Sequence, residues 1–233
     1  MSSLNDLFNL LSRTFWTALV ATTLCTCVAL SGQTRGVPYD RDFGPGFYEL
    51  ALDSPYPGSY EGIAAVNFHD HTVTILGEDK HVLSKAKLRD GWYEHRGKSA
   101  YETVKLDSVH YLLSQDTDRQ FALVLYTWFA TSGSSNTDGV AEVYSLEAHQ
   151  LKLVQQFSWD EHFETDERYA SFDEKSQNLI VRSGHYLPGD AHCCISAVDV
   201  ITLRWDGHRY ARSSVRVELS KYGRQSGRKL NPP

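Results

Sequence analysis

The residues best able to do chemistry gather in one stretch, Asn178–Arg212, where His185, Asp190, His192 and the adjacent Cys193 and Cys194 precede a long apolar run. Thiols, imidazoles and a carboxylate so close together raise the question of zinc. Structural zinc sites, however, draw on two separated ligand pairs, such as Cys-x-x-Cys with a distant second pair. Adjacent cysteines do not offer that spacing, so thiol redox chemistry is the stronger reading. Neighbouring Cα atoms lie about 3.8 Å apart, below the roughly 4.4–6.8 Å of relaxed disulfides. A vicinal bond therefore needs a twisted or cis peptide, and it closes almost no loop. In a regular strand the two side chains would instead point to opposite faces. The pair bonds vicinally in a tight turn, bridges to another chain, or stays as two thiols; the vicinal bond is the expectation carried forward.

Other candidates are weaker. Asp116-Thr117-Asp118, between two apolar segments, has the look of a calcium loop. Calcium needs further oxygen ligands, a glycine for the sharp bend and a late bidentate carboxylate. Arg119 and Gln120 stand there instead, so a polar turn is expected and calcium is disfavoured. His69 and His71 flank a turn on the same face and offer as poor a metal pair as the His185–His192 stretch. The acidic run Asp160–Glu167 could supply paired carboxylates for acid–base work, but charge runs are usually solvated faces. Ser84-Lys85-Ala86-Lys87 matches Ser-x-x-Lys without the companion motifs of acyl-enzymes. The sequence contains no His-Glu-x-x-His, phosphate-binding glycine loop, dinucleotide fingerprint or Gly-x-Ser-x-Gly. Catalytic residues are therefore unassigned and no cofactor is expected.

The elements that must position these residues are strands. In 233 residues, 13 tyrosines and 5 tryptophans accompany a single methionine, a balance that favours β structure. The net charge of -6 lacks the basic excess of a nucleic-acid binder. Near the N-terminus Arg13 precedes Phe15–Leu30, an apolar run short of the roughly 20 residues that span a bilayer. Ala29-Leu30-Ser31 then provides small residues where signal peptidase cuts. Residues 1–31 are thus expected to be a cleaved signal helix, with a retained anchor or lipid attachment at Cys27 as alternatives. Membrane contact would be confined to this segment. Cleavage removes Cys25 and Cys27, leaves Cys193 and Cys194 as the remaining pair, and places the protein in the periplasm or outside the cell.

Residues 32–46 are expected to form a flexible linker, 47–220 a β-rich domain and 221–233 a disordered basic tail. Within the domain, strands are expected over Phe47–Leu52, Ile63–Phe68, Thr72–Leu76, Val140–Leu146, Leu151–Trp159, Arg168–Phe172 and Leu179–Arg182. Asp90-Gly91 marks a hairpin, and a register break is expected near Asp107-Ser108. Phe121–Ala130 and Ile195–Trp205 are apolar on both faces, the mark of strands buried on both sides. Asp206-Gly207 has the chemistry of a type I′ turn. Thr131–Asp138 is expected to be a long loop, and Val215–Leu219 an alternating strand with one wet face. With almost no helical periodicity, the fold class is all-β: an antiparallel meander, arranged as a sandwich or partial propeller-like sheet.

The C-terminal half resembles uncharacterised exported bacterial proteins that carry a Cys-Cys-Pro-Ser/Thr segment before an aromatic strand and a Trp-x-Gly turn. The likeness rests on HCCISAVDVITLRWDGHRY, supported by Phe121–Tyr126, Val140–Leu146 and Leu151–Phe157, with Ile195 in place of the proline. It implies export and β architecture. LSQDTDRQFALVLY is similar, more weakly, to the calcium-loop strands of FG-GAP, integrin-α-like repeats, which would imply adhesion or ligand display. The functional expectation is an exported β-rich binding or structural module of the bacterial envelope or secretome, more a binder than an enzyme. The alternative is an envelope hydrolase with loop-borne His, Asp and Glu residues.

Overall fold

A computed structural model describes residues 47–77, 79–98, 100–131, 135–160, 169–190 and 195–230. The expected signal helix and linker, most of the acidic run, His192, Cys193 and Cys194 lie outside the described residues.

Alternating apolar residues build an all-β, antiparallel fold of three layers. The central layer is a six-stranded sheet in the order β1 (Phe47–Tyr56), β8 (Gln150–Asp160), β7 (Ser135–Glu147), β6 (Arg119–Thr131), β5 (Tyr101–Leu112), β4 (Trp92–Arg96). One face carries the hairpin of β2 (Thr72–Leu76) and β3 (Val82–Lys87). The other carries a four-stranded sheet, β12 (Tyr210–Leu219), β11 (Ala197–Trp205), β10 (Asn178–His185), β9 (Ala170–Asp173). No described helix is long and apolar enough to cross a membrane.

Each layer boundary is a separate core. Val104, Ala122, Val124 and Tyr126 of the central sheet pack with Val73, Ile75, Ala86 and Leu88 of the hairpin. On the opposite face Phe121, Leu123, Leu125, Phe157 and Trp159 pack with Leu179, Val181, Ile201, Leu203 and Trp205. Strand β6 thus feeds both cores, as its two apolar faces require. Strand β11 likewise turns Val198 and Val200 toward Tyr186 and Ile195 on its outer side.

Two bulges set which side chains reach which core. Asp107 is extra in β5, between the pairs Leu106↔Tyr126 and Ser108↔Leu125, where the register break was expected. Val154 is extra in β8, between Tyr144↔Leu153 and Val143↔Gln155. An inserted residue inverts the facing of everything beyond it. Leu151 and Leu153 therefore face the hairpin, whereas Gln155, Phe157 and Trp159 face the four-stranded sheet.

Several sequence expectations need correction. Ile63–Phe68 is not a strand; two 3-10 turns occupy Ile63–Ala65 and Phe68–Asp70, the second capped by the Asn67 side chain accepting from the His69 amide. Strand β1 runs on through Pro55 to Tyr56, irregular between Ala51 and Ser54, because Tyr56 still pairs with Leu151. The expected long loop shrinks, since β6 and β7 pair out to Thr131↔Ser135. Asp206-Gly207 does not form a two-residue turn: Trp205 pairs with Tyr210, and the Asp206 carboxylate accepts from the His208 and Arg209 amides inside a wider loop. Of that loop's residues only Gly207 has positive φ. Strand β12 does not alternate, being exposed on both faces from Ala211 to Arg216 as an uncovered edge. The tail begins with a short helix, α1 (Lys221–Gln225), where Ser220 accepts from the Gly223 amide. Gly223 lies so close to the Ser196 carbonyl that a Cβ there would collide with it.

Candidate functional site

Two adjacent glutamines follow the Val154 bulge and point to opposite faces. Gln155 reaches the four-stranded sheet, where its amide donates to the Tyr210 carbonyl (2.9 Å) and accepts from the Tyr210 N–H (2.7 Å). Gln156 reaches the hairpin, donating to the Thr74 carbonyl (2.8 Å) and accepting from the Leu76 N–H (3.0 Å). Each side-chain amide supplies a donor and an acceptor, as a neighbouring strand would. Both glutamines are nearly inaccessible, so these bonds replace water for backbone groups that burial would otherwise orphan.

The Gln156 side carries further polar chemistry. Its amide nitrogen also donates to Glu142 Oε1 (2.9 Å), and Tyr144 Oη donates to Glu142 Oε2 (2.6 Å). His71 Nε2 lies 2.8 Å from Tyr144 Oη. Tyr56 stacks on the imidazole at 3.8 Å while its hydroxyl accepts from the Thr72 N–H. The Tyr126 hydroxyl is buried without a hydrogen-bonded partner, but it is near enough to act on Glu142. Glu142 is fully buried. Desolvation lifts its carboxyl from the ordinary 4.5 to about 7, against the hydrogen bonds of Tyr144 and Gln156 that favour the anion. Desolvation also drives the His71 imidazole from 6.5 to about 3, so it is neutral at physiological pH. Tyr126 and Tyr144 are pushed well above the normal phenol value by burial, and both keep their protons.

Beyond Leu76 the hairpin and sheet diverge into a cleft of about 610 Å³. The hairpin lines it with Ile75, Leu76, Gly77, Asp79, His81 and Leu83. Strands β1, β6, β7 and β8 contribute Tyr48, Trp128, Asp138 and Ser158. Trp128 is fixed by its indole N–H donating to Glu102 Oε1 (2.7 Å). Asp79 bonds His81, which holds the carboxyl below the usual range. Lys80, left-handed at φ 64°, turns its ammonium to the Ala51 carbonyl (3.2 Å) and ties the hairpin tip to β1. An apolar wall with a few polar groups at this volume is the usual form of a small-molecule site.

The described residues among those singled out from the sequence do not line it. His185 Nδ1 pairs with Asp199 (3.0 Å), leaving a buried Nε2 without a hydrogen-bond partner. Asp190 accepts from the amides of Leu187 (2.9 Å) and Ser196 (2.8 Å) and from Ser196 Oγ (2.5 Å), closing the turn built on Pro188 and Gly189. Asp116 accepts from the Asp118 amide (3.0 Å), and the Arg119 guanidinium stands 3.8 Å from Asp116 and 3.3 Å from Glu147. No group of three or more His, Cys, Asp or Glu that could hold a metal occurs among the described residues. Sequence reasoning missed Glu142, although a carboxylate on the same strand face as Val140, Tyr144 and Leu146 was the available signal. It missed the cleft because the wall comes from six separate strands and a turn.

No protein-family model, curated protein or solved structure matches the chain.

Proposed function

We propose that this protein is an exported binding module that takes a small ligand into the cleft between the β2–β3 hairpin and the six-stranded sheet. The cleft itself carries the reading: an aromatic and aliphatic wall of Trp128, Ile75, Leu76 and Leu83, with polar groups from Tyr48, Asp79, Asp138 and Ser158. Among the described residues two carboxylates and no lysine or arginine line it, which disfavours anions and favours neutral polyols or organic cations with an apolar face. Export is supported by the apolar Phe15–Leu30 run and the small residues at Ala29-Leu30-Ser31. An envelope hydrolase has less support, because His185 is paired with Asp199 and Asp190 is spent on loop amides.

The test is a fragment panel of acids, amines and polyols, read by NMR at the Trp128 indole N–H. Amines or polyols should shift that resonance, with the response lost in Leu83→Asp. Fragments that perturb only other surfaces, or acids as the sole binders, would refute the cleft assignment. Recovery of full-length protein from the cytoplasm of the native cell would refute export.

A further inference from the structure

The β2–β3 hairpin is a separate layer, held to the sheet by apolar packing, by the contacts of Lys80 and Thr72 with β1, and by a two-bond side-chain clamp, Gln156. That clamp is not anchored to an inert group. Its amide nitrogen is shared between the Thr74 carbonyl and Glu142, and Glu142 is joined through Tyr144 to His71, the residue that leads into β2. Every member of this chain can hold its bonds in two proton arrangements. With Glu142 ionised, Tyr144 donates to it and His71 donates to Tyr144 from Nε2–H. With Glu142 protonated on Oε2, the sense reverses: the carboxyl donates to Tyr144, whose hydroxyl donates to an unprotonated His71 Nε2. Oε1 accepts from Gln156 in both. The closed layer therefore accommodates the neutral acid fully, whereas the anion sits buried with donors but, among the described residues, no cation acting on it.

We propose that the hairpin layer is latched by this proton-carrying chain, so that its opening from the six-stranded sheet is governed by pH. The groups facing Glu142 are Tyr144 on its own strand, Tyr126 on β6, Tyr56 on β1 and Gln156 on β8. Among the described residues the hairpin side contributes the Thr74 carbonyl and Leu76 amide, through Gln156. Lys87 acts on His71 and donates to the Asp70 carbonyl. In the closed layer Glu142 gains affinity for its proton, and closure weakens as pH rises from 4.5 to about 7. His71 works in the opposite sense: its neutral form is favoured by burial, and closure weakens as pH falls from 6.5 to about 3. The two slopes overlap and cancel, so the latch is tightest at mildly acidic pH, between 4.5 and 6.5. Because the same hairpin forms one wall of the cleft, opening of the layer removes that wall.

The experiment is native-state hydrogen exchange of the β2–β3 amides at pH 6 and pH 8 in wild type and Glu142→Gln, corrected for intrinsic rates. Glutamine keeps the shape and the hydrogen bonds but cannot ionise. The ratio of wild-type to variant opening constants should rise about tenfold between the two pH values, while amides of the β10–β11 ladder show no such change. A ratio that stays constant, or changes equally in β10–β11, overturns the latch. Should the variant fail to fold, the Glu142 carboxyl carbon can be followed by NMR in wild type. A midpoint near neutrality, shared by the Leu76 amide, is expected; a midpoint below pH 5 refutes the proposal.

Discussion

The two faces of the six-stranded sheet solve the same problem with different chemistry. On each, a glutamine from β8 clamps the backbone of the neighbouring layer. Around Gln155 the clamp is embedded in Phe157, Trp159, Trp205 and Tyr210, and its partner is a backbone that cannot titrate. Around Gln156 it joins a carboxyl, a phenol and an imidazole. The geometry of the clamp does not decide whether a layer senses pH; the groups beside it do. The first face makes a fixed joint and the second a conditional one.

Breaking the fixed joint should have the largest effect. Phe157→Ala leaves a cavity against Leu179 and Tyr210 and should cost about 3–5 kcal/mol, by the same amount at pH 5 and pH 8 in urea denaturation. On the conditional face, the wild type should lose about 3 kcal/mol relative to Glu142→Gln as pH rises from 4.5 to about 7. In the wild type alone much of this loss is masked, since His71 adds stability over the same rise up to 6.5. Removing the clamps sharpens the contrast. Gln156→Ala orphans the Thr74 carbonyl, the Leu76 amide and a Glu142 oxygen, and should cost roughly 3 kcal/mol. Gln155→Ala orphans only the Tyr210 backbone and should cost roughly 2 kcal/mol, read from the same denaturation midpoints. The smallest effect is expected far from either joint: Asp116→Ala removes an exposed pairing with Arg119 and should change stability by less than about 1 kcal/mol. A rise of several degrees in Tm with 10 mM calcium, abolished by this substitution, would revive the calcium-loop reading.

Much of the layering was legible in residue patterns. Strands apolar on both faces could only sit between two cores, and β6 and β11 do. The break at Asp107 was visible because a polar residue interrupts an alternating run. Turns were less legible, since their residues follow from backbone geometry that context can impose. Ala148 and His149 both adopt left-handed φ (46° and 67°) between the paired Glu147 and Gln150, although neither is glycine or asparagine. Asp90-Gly91, expected to mark a hairpin, adopts a left-handed pair (52° and 77°), yet the strands it joins belong to different sheets. The candidate site was barely legible. Trp128 and Asp138 belong to adjoining strands and sit directly opposite in register, but Asp79 and His81 reach the cleft only through docking of the hairpin. Sequence spacing carries no record of such docking.

The hairpin's place in the chain has one more consequence. The polypeptide leaves the sheet from β1 at one edge and re-enters at β4 on the other, so β2 and β3 are a strap across the full width of the sheet. During synthesis from the N-terminus, β1 emerges long before β8, the strand it must pair with, and the strap cannot be drawn tight until the meander from β4 to β8 is complete. The layer that depends on protonation is thus also the one whose assembly waits on a closure spanning Phe47 to Trp159.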